Sequence, residues 1–151
     1  MGEILDVAAN FFKEVGWQFT QAEGQPVLQL GVQTEHGQWA AFVQAREEQA
    51  QFIFYSICPA KAPEDKRMAA AEFLTRANYG LAVGNFELDF DDGEIRYKTS
   101  IDVEGDRLSQ LLVRQIVYTN ILMMDKYLPG ILAVIYDNAS PAEAIAKVEG
   151  Q

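Results

Sequence analysis

Two residue types that carry much of enzyme chemistry are almost missing from this chain. It has one cysteine, Cys58, and one histidine, His36. A lone cysteine excludes an intrachain disulfide framework and a cysteine metal cluster. A lone histidine excludes a two-histidine metal site and weakens any Cys–His or Ser–His–Asp scheme. Basic residues are also scarce: 12 Lys and Arg stand against 22 Asp and Glu, a net charge of −10. Such a surface repels phosphate, so neither nucleic acid nor an anionic membrane is an expected partner. No stretch offers about 18 uncharged apolar residues, so no transmembrane span is expected. The opening MGEILDVAANFFKEVG has no basic segment followed by an apolar run, so no signal peptide is expected either. Together with the cysteine usage, this fits a reducing, cytoplasmic compartment.

What is present fits one globular domain spanning 1–151. Hydrophobic residues make up 49% and charged residues 23%, which is ordinary for a packed domain. A chain of this size buries roughly two-thirds of its unfolded surface and needs no covalent staple. There is no internal repeat and no low-complexity linker.

Apolar residues at Ile4, Leu5, Ala8, Phe11, Phe12 and Val15 have helical spacing, with Gly16 at the exit. WQFTQ, with Trp17 and Phe19 alternating, reads as a short strand. Segments 27–34 and 39–45 read as a hairpin around His36-Gly37, with Leu30 facing Val43, Val32 facing Ala41 and Thr34 facing Trp39. FIFYSI is a continuous apolar strand, expected to be covered on both faces. After Pro59 and Pro63, EDKRMAAAEFLTRAN is rich in helix formers, with acids in its first turn. A second hairpin follows. Leu108 to Tyr127 forms the longest helix, and Pro129-Gly130 is expected to break or kink it. Ser140, Pro141 and Glu143 spell a capped helix start, so short C-terminal helices are expected from about 130. The order is α-β-β-β-β-α-β-β-α. Strands arrive as hairpins, which predicts an α+β fold built on an antiparallel sheet with flanking helices.

FELDFDDGEIRYKTSI, residues 86–101, holds five carboxylates. An EF-hand loop with Gly93 at its sixth position places Phe90 and Leu88 where ligands belong, so that motif fails. A two-residue turn at Asp92-Gly93 instead pairs Phe90 with Ile95, Leu88 with Tyr97 and Phe86 with Thr99. On the other face it pairs Asp89 with Arg96 and Glu87 with Lys98. Asp91, Asp92 and Glu94 are left at the tip, where a divalent cation is one reading and a solvated turn the simpler one. No metal and no cofactor is therefore assigned.

His36 sits at the other expected hairpin tip, without the pocket and positioned partner a general base needs. Cys58 follows an apolar strand with no neighbouring base, the setting of an inert buried thiol. GLAVG at 80–84 lacks both the GxGxxG spacing and a Gly-Lys-Ser/Thr ending, so it is no phosphate loop. Carboxylate pairs such as Glu64/Asp65 and Asp102/Glu104 do acid–base work only where their environments separate their pKa values. No catalytic residue is assigned.

The apolar content exceeds what one sheet face needs. Along the long helix, Leu108, Leu111, Leu112, Ile116, Thr119, Met123 and Tyr127 form one stripe, and Val113, Val117, Ile121 and Met124 a second. One stripe packs on the sheet; the other needs the C-terminal segment, a second subunit or a partner. Phe42, Phe52 and Phe54 raise the same question if Ala41, Val43, Ile53 and Tyr55 face the opposite way. Phe42, Phe52, Phe54, Val113, Val117, Ile121 and Met124 are therefore the candidate partner-binding residues.

The stretch FLTRANYGLAVGNFELDFDDGEIRYKTSIDVEG resembles the central segment of the YbjN family of bacterial sensory-transduction regulators, and within it a cyanobacterial branch. The features that carry the resemblance are Asn78-Tyr79-Gly80-Leu81 at the helix exit, Gly84 and Phe86 at strand entry, and Asp92-Gly93-Glu94 at the turn. The resemblance implies a fold like that of the type III secretion chaperones, which are acidic, mostly dimeric proteins that hold extended client segments. It implies a non-enzymatic protein-binding module, a homodimer with an unnamed protein partner, and no active site. A small-ligand or cation-responsive regulator using the acidic tip is the alternative, and an enzyme would need a buried carboxylate pocket.

Overall fold

The computed structural model describes residues 2–150. Helix α1 (Glu3–Val15) starts with acids and ends with Lys13, matching the helix dipole. Its free N-terminal amides are capped from a distance: the Glu47 carboxylate accepts from Ile4 N and Leu5 N, each at 3.0 Å. At its exit Gly16 takes φ 78°, and Trp17 N donates to Phe12 O at 2.9 Å, which closes the helix and turns the chain toward the sheet.

Strands β1 (Thr20–Gln21), β2 (Val27–Gln33), β3 (Gln38–Arg46) and β4 (Gln51–Ile57) follow. A 3₁₀ turn at Glu64–Lys66 leads into α2 (Arg67–Asn78). Then come β5 (Asn85–Leu88), β6 (Ile95–Asp102), α3 (Gln110–Tyr136) and α4 (Pro141–Glu149). Ser109 caps α3 by accepting from Leu112 N, and Ser140 caps α4 by accepting from Glu143 N. The strands form one antiparallel sheet in the order β1-β2-β3-β4-β6-β5. This is the α+β architecture expected from hairpin-wise strand order.

One sheet face is the core. Leu28, Leu30, Val32, Trp39, Ala41, Val43, Ala45, Phe52, Phe54, Tyr97 and Ile95 point into it. Helix α1 covers β2 to β4, α3 lies over β4 and β6, and α4 packs on α2 and α3. Asn120 of α3 is buried among these apolar groups. Its amide donates to Phe54 O at 2.9 Å, Tyr97 O at 3.0 Å and Thr99 Oγ1 at 3.2 Å. Thr99 in turn donates to Ile116 O. These bonds tie α3 to β4 and β6 and fix its rotation on the sheet, although Asn120 Oδ1 itself finds no donor among the described residues.

Four local expectations are corrected. Both hairpins are shifted by two residues: Leu30 pairs with Ala41 rather than Val43, and Phe86 with Tyr97 rather than Thr99. A two-residue shift keeps every side chain on its expected face. The turn at 89–94 is longer than two residues, because Gly93 N donates to Asp89 O and Gly93 O accepts from Ala62 N at 2.9 Å. Phe90 is consequently lifted out of the ladder and more than half exposed. Third, Pro129 does not end the long helix, which runs on to Tyr136. WQFTQ contributes only Thr20–Gln21 as strand.

Candidate partner-binding edge

The candidate interaction residues fall on opposite sides of the sheet. Phe54 pairs with Val43 and Phe52 with Ala45, so both phenylalanines point into the core, fully buried. Val113, Val117 and Met124 are likewise fully buried beneath α3, and Ile121 nearly so. These six are covered within the chain itself. The proposed division of faces is thus corrected. The run FIFYSI has apolar residues on both parities and no alternation to orient it. The second helix stripe is the one that meets the sheet, and Leu111, Leu122 and the terminal Tyr136 are the exposed large hydrophobics of α3. Only Phe42, paired with Tyr55, remains on the open face.

That open face has an apolar centre and a charged end. Val27, Ala40, Phe42, Gln44, Tyr55, Ile57, Glu94 and Arg96 line a shallow depression of about 530 Å³. The Arg96 guanidinium lies 4.2 Å from the centre of the Tyr55 ring. Glu87 ties the end together, accepting from Arg96 Nε at 2.7 Å and from Lys98 Nζ at 3.0 Å. Partial burial raises the Glu87 pKa. The hydrogen bonds and charges of Lys98 and Arg96 outweigh that and hold it below the usual carboxylate value.

The two edges of the sheet are treated differently. At β5 the Asn78 side chain occupies the place of a further strand. Its Oδ1 accepts from Phe86 N at 2.7 Å and its Nδ2 donates to Phe86 O at 3.1 Å. At the other end β1 pairs only with Leu28 and Gln29 of β2. Thr34 N donates to Gly37 O at 2.8 Å, which sets the phase of the β2–β3 ladder. Even-numbered residues of β2 bond to β3, and the N–H and C=O of Gly31 and Gln33 turn outward. Among the described residues no strand covers those groups, which is the geometry of an edge open to pairing.

An apolar groove of about 1100 Å³ runs beside this open edge. Trp17 and Phe19 line it together with Leu30, Val32 and Trp39, and Ile121 of α3 lines the adjoining recess. The aromatic wall is rigid because it is packed from behind: Trp17 stacks on Phe12 with centroids 5.9 Å apart and tilts against Tyr118 at 5.7 Å. Trp39 is nearly buried, and its indole N–H has no acceptor among the described residues. The sequence offered a signal for this edge in the brevity of WQFTQ and the glycine at position 31 of β2.

The acidic tip does not gather its oxygens. Asp91 and Asp92 are exposed and Glu94 is half-buried. Asp92 accepts from Glu94 N at 2.9 Å and lies 3.5 Å from Lys61 Nζ, and its pKa is lowered, first by that backbone hydrogen bond. Cys58 is buried, and desolvation pushes its thiol up to about 11. His36 departs from expectation, because it has a positioned partner: Asp125 of α3, 3.3 Å from its Nδ1. The two are 89 residues apart in sequence, which is why the pairing was invisible there.

The family model YbjN, described as "Putative bacterial sensory transduction regulator", matches residues 5–133. The chain belongs to the YbjN family. Its fold is similar to that of YbjN from E. coli, with TM-score 0.59 at 13% identity over 88% of this chain and 89% of that one. It is also similar to a chain of the HopA1-SchA chaperone–effector complex, with TM-score 0.55 at 12% identity over 82% and 91%. A chain of the ExsC-ExsE complex gives TM-score 0.54 at 11% identity over 85% and 96%. No curated protein matches the sequence. The α+β, secretion chaperone-like architecture is thus shared across these chains. Among the described residues, no helix is long and apolar enough to cross a membrane. Within the YbjN-like segment, Asn78 is the last residue of α2 and also closes the β5 edge.

Proposed function

We propose that this chain is a non-enzymatic protein-binding module, chaperone-like or regulatory, acting in the cytoplasm as a homodimer. It receives an extended segment of a protein partner by strand addition at β2. The observation that carries this reading is the contrast between the two sheet edges. Asn78 closes β5 at Phe86, whereas Gly31 and Gln33 present free backbone groups beside an apolar groove. Main-chain pairing supplies affinity, and alternate side chains of the incoming strand reach Trp17 and Phe19. The apolar centre around Phe42 and Tyr55 is a second contact surface for the same partner or for the second copy. Membership in the YbjN family, and the fold shared with chains of two protein–protein complexes, support a binding role.

Proline at position 31 tests the edge. Its outward N–H is removed, and an edge strand tolerates proline where the N–H faces solvent. A side chain at Gly31 meets nothing within 4 Å. Gly31→Pro should keep the native circular dichroism and melting temperature while losing the proteins that the unaltered chain retains in a quantitative pull-down. Equal retention by both would sink the strand-addition reading. Light scattering at micromolar concentration tests the dimer, and a strict monomer counts against it.

A further inference from the structure

We propose that Glu35, His36 and Asp125 form a binding site for one divalent transition-metal ion of the Zn²⁺ type. One ligand atom from each of these three side chains lies within 4.8 Å of the others, and no second such group of three occurs among the described residues. The acidic tip at Asp91, Asp92 and Glu94 is not one.

The decisive feature is how His36 is held. Pro129 lies four residues after Asp125 in α3 and has no N–H, so the Asp125 carbonyl has no helical donor. His36 Nδ1 sits 3.1 Å from that carbonyl oxygen. A carbonyl only accepts, so Nδ1 carries the hydrogen in this contact, and Nε2 is the ring nitrogen left to coordinate an ion. Metal-binding histidines are oriented in this way, with one ring nitrogen donating to a carbonyl and the other free to coordinate.

Asp125 is equally fixed. Its Oδ1 accepts from Thr34 Oγ1 at 2.6 Å and from His36 N at 2.9 Å, leaving Oδ2 without a donor among the described residues. Its side chain is only 17% exposed. Among the described residues neither Asp125 nor Glu35 has a lysine or arginine partner. Two carboxylates thus share one small region with a single imidazole and with no lysine or arginine. A cation relieves that charge. Glu35 is on the exposed hairpin tip, so it closes the last distance at little cost. One imidazole nitrogen with two carboxylate oxygens suits Zn²⁺ better than Ca²⁺ or Mg²⁺, which prefer all-oxygen shells. The ion would clip the β2–β3 hairpin to α3. This inference does not depend on the partner-binding reading.

Chelator-treated full-length protein titrated with Zn²⁺ should bind one equivalent in calorimetry. Because His36 is the only histidine, its ring resonances should shift or broaden with Zn²⁺ and stay put with Mg²⁺. His36→Asn and Glu35→Gln should each weaken binding by at least about tenfold, and Asp91→Asn/Asp92→Asn should bind as the unaltered chain does. The proposal is overturned if Zn²⁺ leaves the His36 resonances unmoved, if His36→Asn binds as tightly, or if the tip double variant loses the ion.

Discussion

The Asn78 side-chain amide satisfies both main-chain groups of Phe86, accepting from its N–H at 2.7 Å and donating to its C=O at 3.1 Å. A single side chain thus stands in for one residue of a missing seventh strand. Edges left bare invite pairing with other chains. Capping Phe86 blocks a further strand at that point of β5.

Replacing Asn78 with Ala should therefore do two things. The Phe86 N–H loses its acceptor, while the C=O keeps a donor in Asn85 Nδ2 at 3.2 Å. One orphaned group, not two, sets the expected loss at about 1–2 kcal/mol in urea unfolding. The bared edge should also raise self-association, seen as a concentration-dependent mass in light scattering. An unchanged midpoint with no added association would show that the amide is not closing the edge.

The second hairpin depends on a close approach rather than on its charges. Gly93 has φ 81°, and a Cβ there would stand 2.0 Å from Ala62 O. Gly105 has nearly the same φ, 79°, with nothing within 4 Å. Gly105→Ala should cost about 1–2 kcal/mol, the left-handed penalty alone. Gly93→Ala should cost clearly more, because the turn must leave the 59–63 loop that it bonds. Equal midpoints for the two variants would refute the close-approach account.

Those particulars mark what was readable in the sequence. Alternation along β2, β3, β5 and β6 placed each side chain on its correct face, because face is a local, two-residue periodicity. Register was missed by two in both hairpins: the first turns at Glu35-His36, one residue before His36-Gly37, and the second, read as a tight Asp-Gly turn, has a longer connection that bonds Ala62. Phe52 and Phe54 were assigned to the wrong side, because FIFYSI has no polar residue to break the tie until Ser56. The candidate edge was legible only as the short strand at WQFTQ. Its openness is set by where Trp17 and Phe19 pack, on Phe12 and Tyr118.

Acid should act on the sheet through Glu87. Its folded pKa is lowered, so it contributes stability above its unfolded value, near 4.3, and loses it as pH falls through the folded value. The unaltered chain should exceed Glu87→Gln in stability at pH 7, by no more than about 1 kcal/mol for so exposed a cluster. The difference should close toward pH 3. Chemical unfolding at both pH values checks it, and a gap that persists at pH 3 would assign the effect to something other than ionisation.

Pro129 and His36 should be energetically coupled through the Asp125 carbonyl. The proline removes the N–H that would bond this carbonyl, and the His36 ring supplies the substitute donor at 3.1 Å. Removing the ring by His36→Ala should cost about 0.5–1.5 kcal/mol. Pro129 is exposed, so Pro129→Ala should lose little packing and gain a helical hydrogen bond, raising the melting temperature. In that background the carbonyl is already satisfied, and His36→Ala should cost close to nothing. The four proteins form a double-mutant cycle whose coupling energy should match the cost of the single histidine replacement. Equal costs of His36→Ala with and without the proline would mean that the imidazole is not filling the gap. The helix would then owe its passage through Pro129 to its packing on the neighbouring elements.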